Sequence, residues 1–198
     1  MARFPAVVLA TGNAHKVLEL RAILAPLLPD LQVLPYDGPS PVEDGDTFQA
    51  NALIKARAAA LGSGLPAIAD DSGIAVQALG GAPGLYSARF AGTGLDADNR
   101  ALLLTRMQGI ADRRARFVCA ACLVVPAGGA VGEQAVRLAE WPGHLLGAER
   151  GGGGFGYDPL FVPDGETRTA AELTADEKNA VSHRARAFRA LAEVLRAP

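Results

Sequence analysis

The first thirty residues restrict the fold more than any other stretch. Ala6-Val-Val-Leu-Ala10 is a continuous apolar run that reads as a buried strand, Thr11-Gly12-Asn13 reads as a turn, and Val17, Leu20, Leu24 and Leu27 recur at helical spacing between His15 and Leu28. The chain therefore begins strand, turn, helix. Asp46 or Thr47 can cap a second helix running to about Leu61, with Phe48, Ala52, Ala56 and Ala59 along one side and Gly62-Ser-Gly ending it. Leu65 to Ala69 and Ile74 to Leu79 read as two short apolar strands that meet at Asp70-Asp71-Ser72-Gly73.

Downstream, Gly80 to Gly94 is a long glycine-rich loop, followed by a helix from about Asp96 to Ile110. Strands near Ala115 to Val125 and Ala130 to Ala139 make a hairpin across Pro126-Ala-Gly-Gly, and Gly147 to Gly156 is a second glycine-rich loop. Thr174-Ala-Asp-Glu177 has the pattern of a capping box opening a last helix to about Leu195. The order predicts an α/β fold on a mixed sheet, and neither a repeat nor a linker divides residues 1–198.

Composition removes several classes of function. A chain of 198 residues can bury roughly 70% of its unfolded surface and needs no staple. The N-terminal apolar run is too short for a signal segment, and no stretch has the length to cross a bilayer, which predicts a cytoplasmic location. Nineteen basic residues against 21 acidic ones give no overall field for a polyanion, and Arg113-Arg-Ala-Arg116 reads as a solvated strand entry, so a DNA-binding module is not expected. Cys119 and Cys122 lie in an expected strand, where residues three apart face opposite ways, and they read as buried free thiols.

Several groups can carry chemistry. Adjacent strand carboxylates point to opposite sides, so Asp70 and Asp71 cannot do the same work. One can face a ligand and the other a structural partner. Carboxylates suit Mg²⁺, which takes one or two of them with substrate phosphates, and Glu43 can supply a second. The same four residues also have the composition of a polar turn. Thr11-Gly12-Asn13, with Lys16 in the following helical turn, can receive phosphate oxygens or act as an ordinary Asn-capped connection. Arg184 falls in the apolar stripe of Val181, Ala185, Phe188 and Leu195, where a guanidinium needs an acidic, carbonyl or ligand partner or must snorkel from the rim. Lys178 and Ser182 share a neighbouring face, and His183 projects beside them. Phe155-Gly156-Tyr157-Asp158 follows four glycines, so its aromatics can stack on a flat base or pack a loop-to-strand junction. These are the parts of a nucleoside triphosphate site.

The order of these motifs resembles the Ham1/inosine triphosphate pyrophosphatase family, which includes the bacterial dITP/XTP pyrophosphatases. The matching segments are LATGNAHKVLEL at 9–20, EDGDTFQANALIKARAAA at 43–60, AIADDSGIAVQALGGAPGLYSARFAG at 67–92, GGFGYDPLF at 153–161 and AAELTADEKNAVSHRARA at 170–187. The resemblance implies a two-lobed fold on a long mixed sheet with flanking helices and a cleft, a homodimer, and Mg²⁺-dependent hydrolysis of ITP, dITP and XTP to monophosphate and pyrophosphate. By matching position it implies that Asp71 is catalytic and binds metal with Glu43. Thr11, Gly12, Asn13, Ala14, His15, Lys16 and Lys55 are implied on the phosphate side, with Ser72 touching substrate. Phe155, Gly156, Tyr157, Asp158, Lys178, His183 and Arg184 are implied around the base and nucleotide. One departure is visible: Ala50 stands where the family commonly has Glu, which leaves more to Glu43.

On this reading Asp71 orients or deprotonates a water, and a donor such as Arg184 or a backbone N–H reads the purine 6-oxo group. The rival readings are a Maf-like pyrophosphatase of pyrimidine or modified nucleotides and an idle nucleotide sensor, for which Ala50 is the only encouragement. A serine hydrolase built on Ser72 and His183 lacks the G-x-S-x-G elbow.

Overall fold

The computed structural model describes residues 1–196. Its elements run β1 (Ala6–Leu9), α1 (Ala14–Leu24), β2 (Gln32–Pro35), α2 (Phe48–Ser63), β3 (Ala67–Val76), α3 (Asp96–Arg106), β4 (Arg114–Ala127), β5 (Ala130–Leu145), β6 (Phe161–Pro163), α4 (Ala175–Val181) and α5 (His183–Leu195). The strands form one sheet in the order β2-β1-β3-β4-β5-β6. β1 lies parallel to β2 and β3, while β5 and β6 are antiparallel, so the sheet is mixed and the fold is α/β as expected. Edge strand β2, which sequence reading did not find, pairs in register from Ala6 with Gln32 to Leu9 with Pro35. Gly128 and Gly129 both take positive φ, the geometry of a two-residue hairpin turn between β4 and β5.

The chain divides into two compact units. The first holds Met1–Asp71, Cys119–Ala139 and the chain from Arg184 on; the second holds Ser72–Val118 and Glu140–His183. In the first unit, strand alternation sorts side chains onto two faces. Val7, Leu9, Ile68, Cys119, Ala121 and Leu123 pack with Leu20, Ile23 and Leu24 of α1 and with Phe188, Leu191 and Leu195 of α5. Val8, Ala10, Ala67, Ala69, Ala120, Cys122 and Val124 pack against Ala52, Ala56, Ala59 and Ala60, small residues that let α2 approach closely. The two cysteines are buried free thiols on opposite faces, and burial pushes the Cys122 thiol up to about 12. In the second unit, Leu103 of α3 and Met107 just past its end pack with Phe117, Trp141, Leu145, Leu160 and Phe161.

Local signals set most helix ends. Asn13 caps α1 by accepting from Lys16 N, Thr47 caps α2 by accepting from Ala50 N, and Gly64 in the left-handed region closes α2. Both capping-box bonds of Thr174 and Glu177 are present.

Two expectations are corrected. Leu65 to Ala69 and Ile74 to Leu79 are not two strands joined by a turn: β3 runs unbroken from Ala67 to Val76, and Gln77–Leu79 is a 3₁₀ turn. The turn preference of Asp-Asp-Ser-Gly is overridden because cations from neighbouring helices neutralise the two carboxylates in place. The last helix is also not continuous, since Ser182 is extended (φ −65°, ψ 162°) and separates α4 from α5. Ser182 is a favoured residue for starting α5, and the break leaves Val181 exposed rather than in the α5 stripe.

Candidate active site

The alternation that sorts the first unit's core also assigns Asp70 and Asp71. Asp70 follows Ile68 onto the face of α1 and α5, whereas Asp71 follows Ala69 onto the face of α2. Each meets the cations that those helices carry.

Asp70 is fully buried. Its Oδ2 lies 3.0 Å from Lys16 Nζ and accepts from Arg184 Nη2 at 3.2 Å and Nε at 3.4 Å, with Cys119 Sγ at 3.9 Å. Arg184 Nη1 donates to Glu19 Oε2 at 2.5 Å. Burial alone would raise the Asp70 pKa, but Lys16, Arg184 and Lys55 outweigh it and hold the carboxyl far below its ordinary range. Burial likewise opposes charge on Arg184, and Asp70 and Glu19 more than restore it. Asp70 is thus the structural carboxylate of the adjacent pair, fixing Lys16 beside the start of α1.

Asp71 is half-buried. Its Oδ1 accepts from Lys55 Nζ at 3.4 Å, and the same ammonium donates to Glu43 Oε2 at 2.8 Å. Burial pushes the Asp71 pKa up; Lys55 and Lys16 pull it down without prevailing, and Glu43 and Asp70 add to the rise. For Lys55, burial works against the charge, but Asp71, Glu43 and Asp70 leave its pKa raised. The two adjacent aspartates are therefore pushed in opposite directions by unlike surroundings, the pattern that separates a supporting carboxylate from a reactive one.

The expected metal fits this donor set. Glu43 and Asp71 converge on one ammonium and offer hard oxygen ligands, while no group of three His, Cys, Asp or Glu side chains that could cage an ion occurs among the described residues. Two carboxylates that leave the remaining positions to water and phosphate match magnesium.

The other residues on the phosphate side are open to solvent. Gly12, Asn13, Ala14 and His15 are exposed and Thr11 is half-buried, with Thr11 Oγ1 accepting from Asn13 N at 3.2 Å. A Cβ at Gly12 would meet nothing within 4 Å, so the turn leaves space above the helix N-terminus.

In the second unit, Asp158 and Lys178 form a buried ion pair at 2.5 Å. Asp158 Oδ2 also accepts from Phe155 N at 2.9 Å, and Lys178 Nζ lies 4.8 Å from the centre of the half-buried Phe155 ring. Tyr157 is buried, with its hydroxyl donating to Ser87 O at 2.9 Å, so Phe155 rather than Tyr157 is the accessible aromatic. His183 is buried flat against Phe117, with ring centres 4.7 Å apart and planes 8° apart, and also stacks with Trp141 at 6.3 Å. Ser72 is half-buried on β3.

Sequence reasoning did not single out Glu19, Phe117 or Trp141. Glu19 was findable, since it lies three residues beyond Lys16 on one helix face. Phe117 and Trp141 carry no local signal and acquire one only when β4, β5 and His183 come together.

The sequence model of the Ham1 family matches residues 7–194. The chain belongs to the Ham1 family. Among other Ham1 proteins, it is 55% identical over 194 residues to the dITP/XTP pyrophosphatase of Leifsonia xyli subsp. xyli, covering 96% of each chain. It is 51% identical over 197 residues to the dITP/XTP pyrophosphatase of Streptomyces coelicolor, again covering 96% of each. The solved structure of a Ham1 protein from Coxiella burnetii superposes with a TM-score of 0.86 at 39% identity, covering 97% of this chain and 98% of that one. This Ham1 member thus matches its relatives along nearly its whole length.

Proposed function

We propose that this chain is a cytoplasmic, homodimeric pyrophosphatase that hydrolyses ITP, dITP and XTP to the monophosphate and pyrophosphate with magnesium. The carrying observation is the opposed pair on β3: Asp70 is held ionised between Lys16 and Arg184, while the Asp71 pKa is raised from its ordinary value by burial, with Lys55 and Glu43 beside it. The relatives' names supply the substrate class. No helix among the described residues is long and apolar enough to cross a membrane.

Asp71 orients a water for in-line attack on the α-phosphorus. As the new P–O bond forms, the water's proton passes to the Asp71 carboxylate, and the α–β bridging oxygen leaves with pyrophosphate. Lys16, held in place by Asp70, and Lys55 meet the charge that develops on the phosphates, and the Thr11–Asn13 turn and first N–H groups of α1 add dipoles. Magnesium bound by Asp71 and Glu43 would neutralise phosphate charge and strengthen the leaving group.

Recognition of the 6-oxo group is assigned to Phe155–Asp158, Lys178, His183 and Arg184, whose guanidinium also pairs with Asp70 and Glu19. A donor aimed at a 6-oxo group is left unpaired by adenine, at a cost of about 1–3 kcal/mol.

³¹P NMR of ITP, ATP and GTP with the protein, with and without Mg²⁺, tests the reading. Pyrophosphate and IMP from ITP alone, only with the metal, and their loss in a folded Asp71→Asn variant are expected. Orthophosphate as the first product, equal cleavage of ATP, or retained turnover by Asp71→Asn overturns it. Equilibrium sedimentation at the dimer mass checks the assembly.

A further inference from the structure

The segment from Gly151 to Gly156 has five glycines in six positions, so its backbone loses more freedom on ordering than almost any other sequence would. It is nevertheless pinned. Gly153 N donates to Ala171 O at 2.9 Å, and a Cβ at Gly151 or Gly153 would press within 3 Å of the Ala171 backbone. At the other end both backbone polar groups of Gly156 are taken by α3. Gly156 N donates to Asp96 Oδ2 at 2.7 Å, and Gly156 O accepts from Arg100 Nη1 at 2.9 Å. Arg100 is paired in turn with Glu149 at 2.9 Å.

Asp96 and Arg100 are four residues apart, on one face of α3. The start of that helix is poorly capped: Leu95 occupies the N-cap and contributes no side-chain bond. Asp96, in the first turn beside uncapped N–H groups, sends its carboxylate to Gly156 instead. A carboxylate on the peptide before Gly156 and a guanidinium on the peptide after it, with Gly156 at φ +61°, fix the direction in which the chain enters and leaves that residue.

We propose that Asp96 and Arg100 are positioning residues for recognition of the nucleotide base, acting by clamping Gly156 and thereby aiming Phe155. This rests on the assignment above of Phe155–Asp158 to the base. Neither side chain is invoked to touch the substrate. Phe155 already has Lys178 over one ring face and its N–H on Asp158, and the backbone that follows it at Gly156 is held by Asp96 and Arg100.

The test separates base from phosphate. For Asp96→Asn and Arg100→Ala, KM and kcat for ITP are measured with inhibition constants for IMP, which carries the base, and inorganic triphosphate, which does not. Each variant is expected to raise KM for ITP and the IMP inhibition constant about tenfold, the effect of losing a charged hydrogen bond, with kcat and the triphosphate constant changed less than about threefold. Arg100→Lys keeps the charge opposite Glu149 but not the fork geometry, and is expected to fall between, also serving if Arg100→Ala does not fold. An unchanged IMP constant, or one that rises in parallel with the triphosphate constant, overturns the proposal. Phe155→Ala distinguishes the two levels. If it weakens IMP while the α3 variants are silent, only the clamp fails; if it too leaves IMP binding unchanged, the assignment of this segment to the base fails.

Discussion

Replacing Arg184 by Met keeps much of the side-chain length while removing the only guanidinium that joins Asp70 to Glu19 in this cluster. Breaking a buried ion pair from one side costs about 3–5 kcal/mol, because the abandoned charge has lost its solvent and its counter-charge. Two features place this case at the low end. Asp70 would keep Lys16 at 3.0 Å, and the Glu19 side chain, 15% exposed, can recover part of its hydration. A loss of about 3 kcal/mol in a chain of this size lowers Tm by about 6–12 °C, readable by calorimetry. The double variant Arg184→Met, Asp70→Asn removes the stranded charge as well and should lose less than the sum of the single variants, with a coupling of at least about 1 kcal/mol. A Tm within about 2 °C of the parent, or additive losses, would mean that the pair does not stabilise this unit. It would also leave Lys16 as the main cause of the low pKa of Asp70.

Glu43→Gln keeps an acceptor for Lys55 but discards the second carboxylate, so the magnesium concentration for half-maximal turnover should rise about tenfold or more, with kcat at saturating metal much less affected. An unchanged magnesium dependence would assign Glu43 to holding Lys55 and nothing else. The Glu177 carboxyl is held below its ordinary value of 4.5, first by the Thr174 N–H and then by Arg168. Its contribution to α4 is therefore complete above that value and is lost as pH falls through the lowered one. A carboxyl ¹³C titration midpoint below 4.5 is expected, and one at or above it would refute the cap as the cause.

What could be read from the sequence was what is decided locally. Asn13, Thr47, Thr174 and Glu177 cap the helices whose starts they mark, because a capping side chain bonds N–H groups two or three residues away. The course of β3 was misread for the opposite reason. Asp-Asp-Ser-Gly has local turn character, and what keeps it extended is Lys16, Lys55 and Arg184, the last 114 residues distant from Asp70. The break at Ser182 lies between these cases: the serine was a usable start signal, but the apolar stripe through Val181 and Ala185 concealed it. Family resemblance pointed to most of the residues around Asp71 but could not say that Arg184 would join Asp70 to Glu19, or that α3 would take hold of Gly156.

These departures share a physical basis. A strand carrying adjacent carboxylates inside a hydrophobic unit is stable only if each finds a counter-charge on its own face. Helices on both faces of the sheet provide this, with Lys16 and Arg184 on one side and Lys55 on the other. The supply is unequal. Asp70 receives two close cations and is held ionised, whereas Asp71 shares one lysine with Glu43 and retains a raised affinity for a proton. Asp71 and Glu43, the less fully paired carboxylates, are the ones to which the proposed magnesium is assigned. Full neutralisation of Asp71 by a second buried cation would favour the folded chain and weaken both its basicity and its capacity for metal, so the incomplete pairing at Asp71 is where stability and the proposed chemistry make opposite demands.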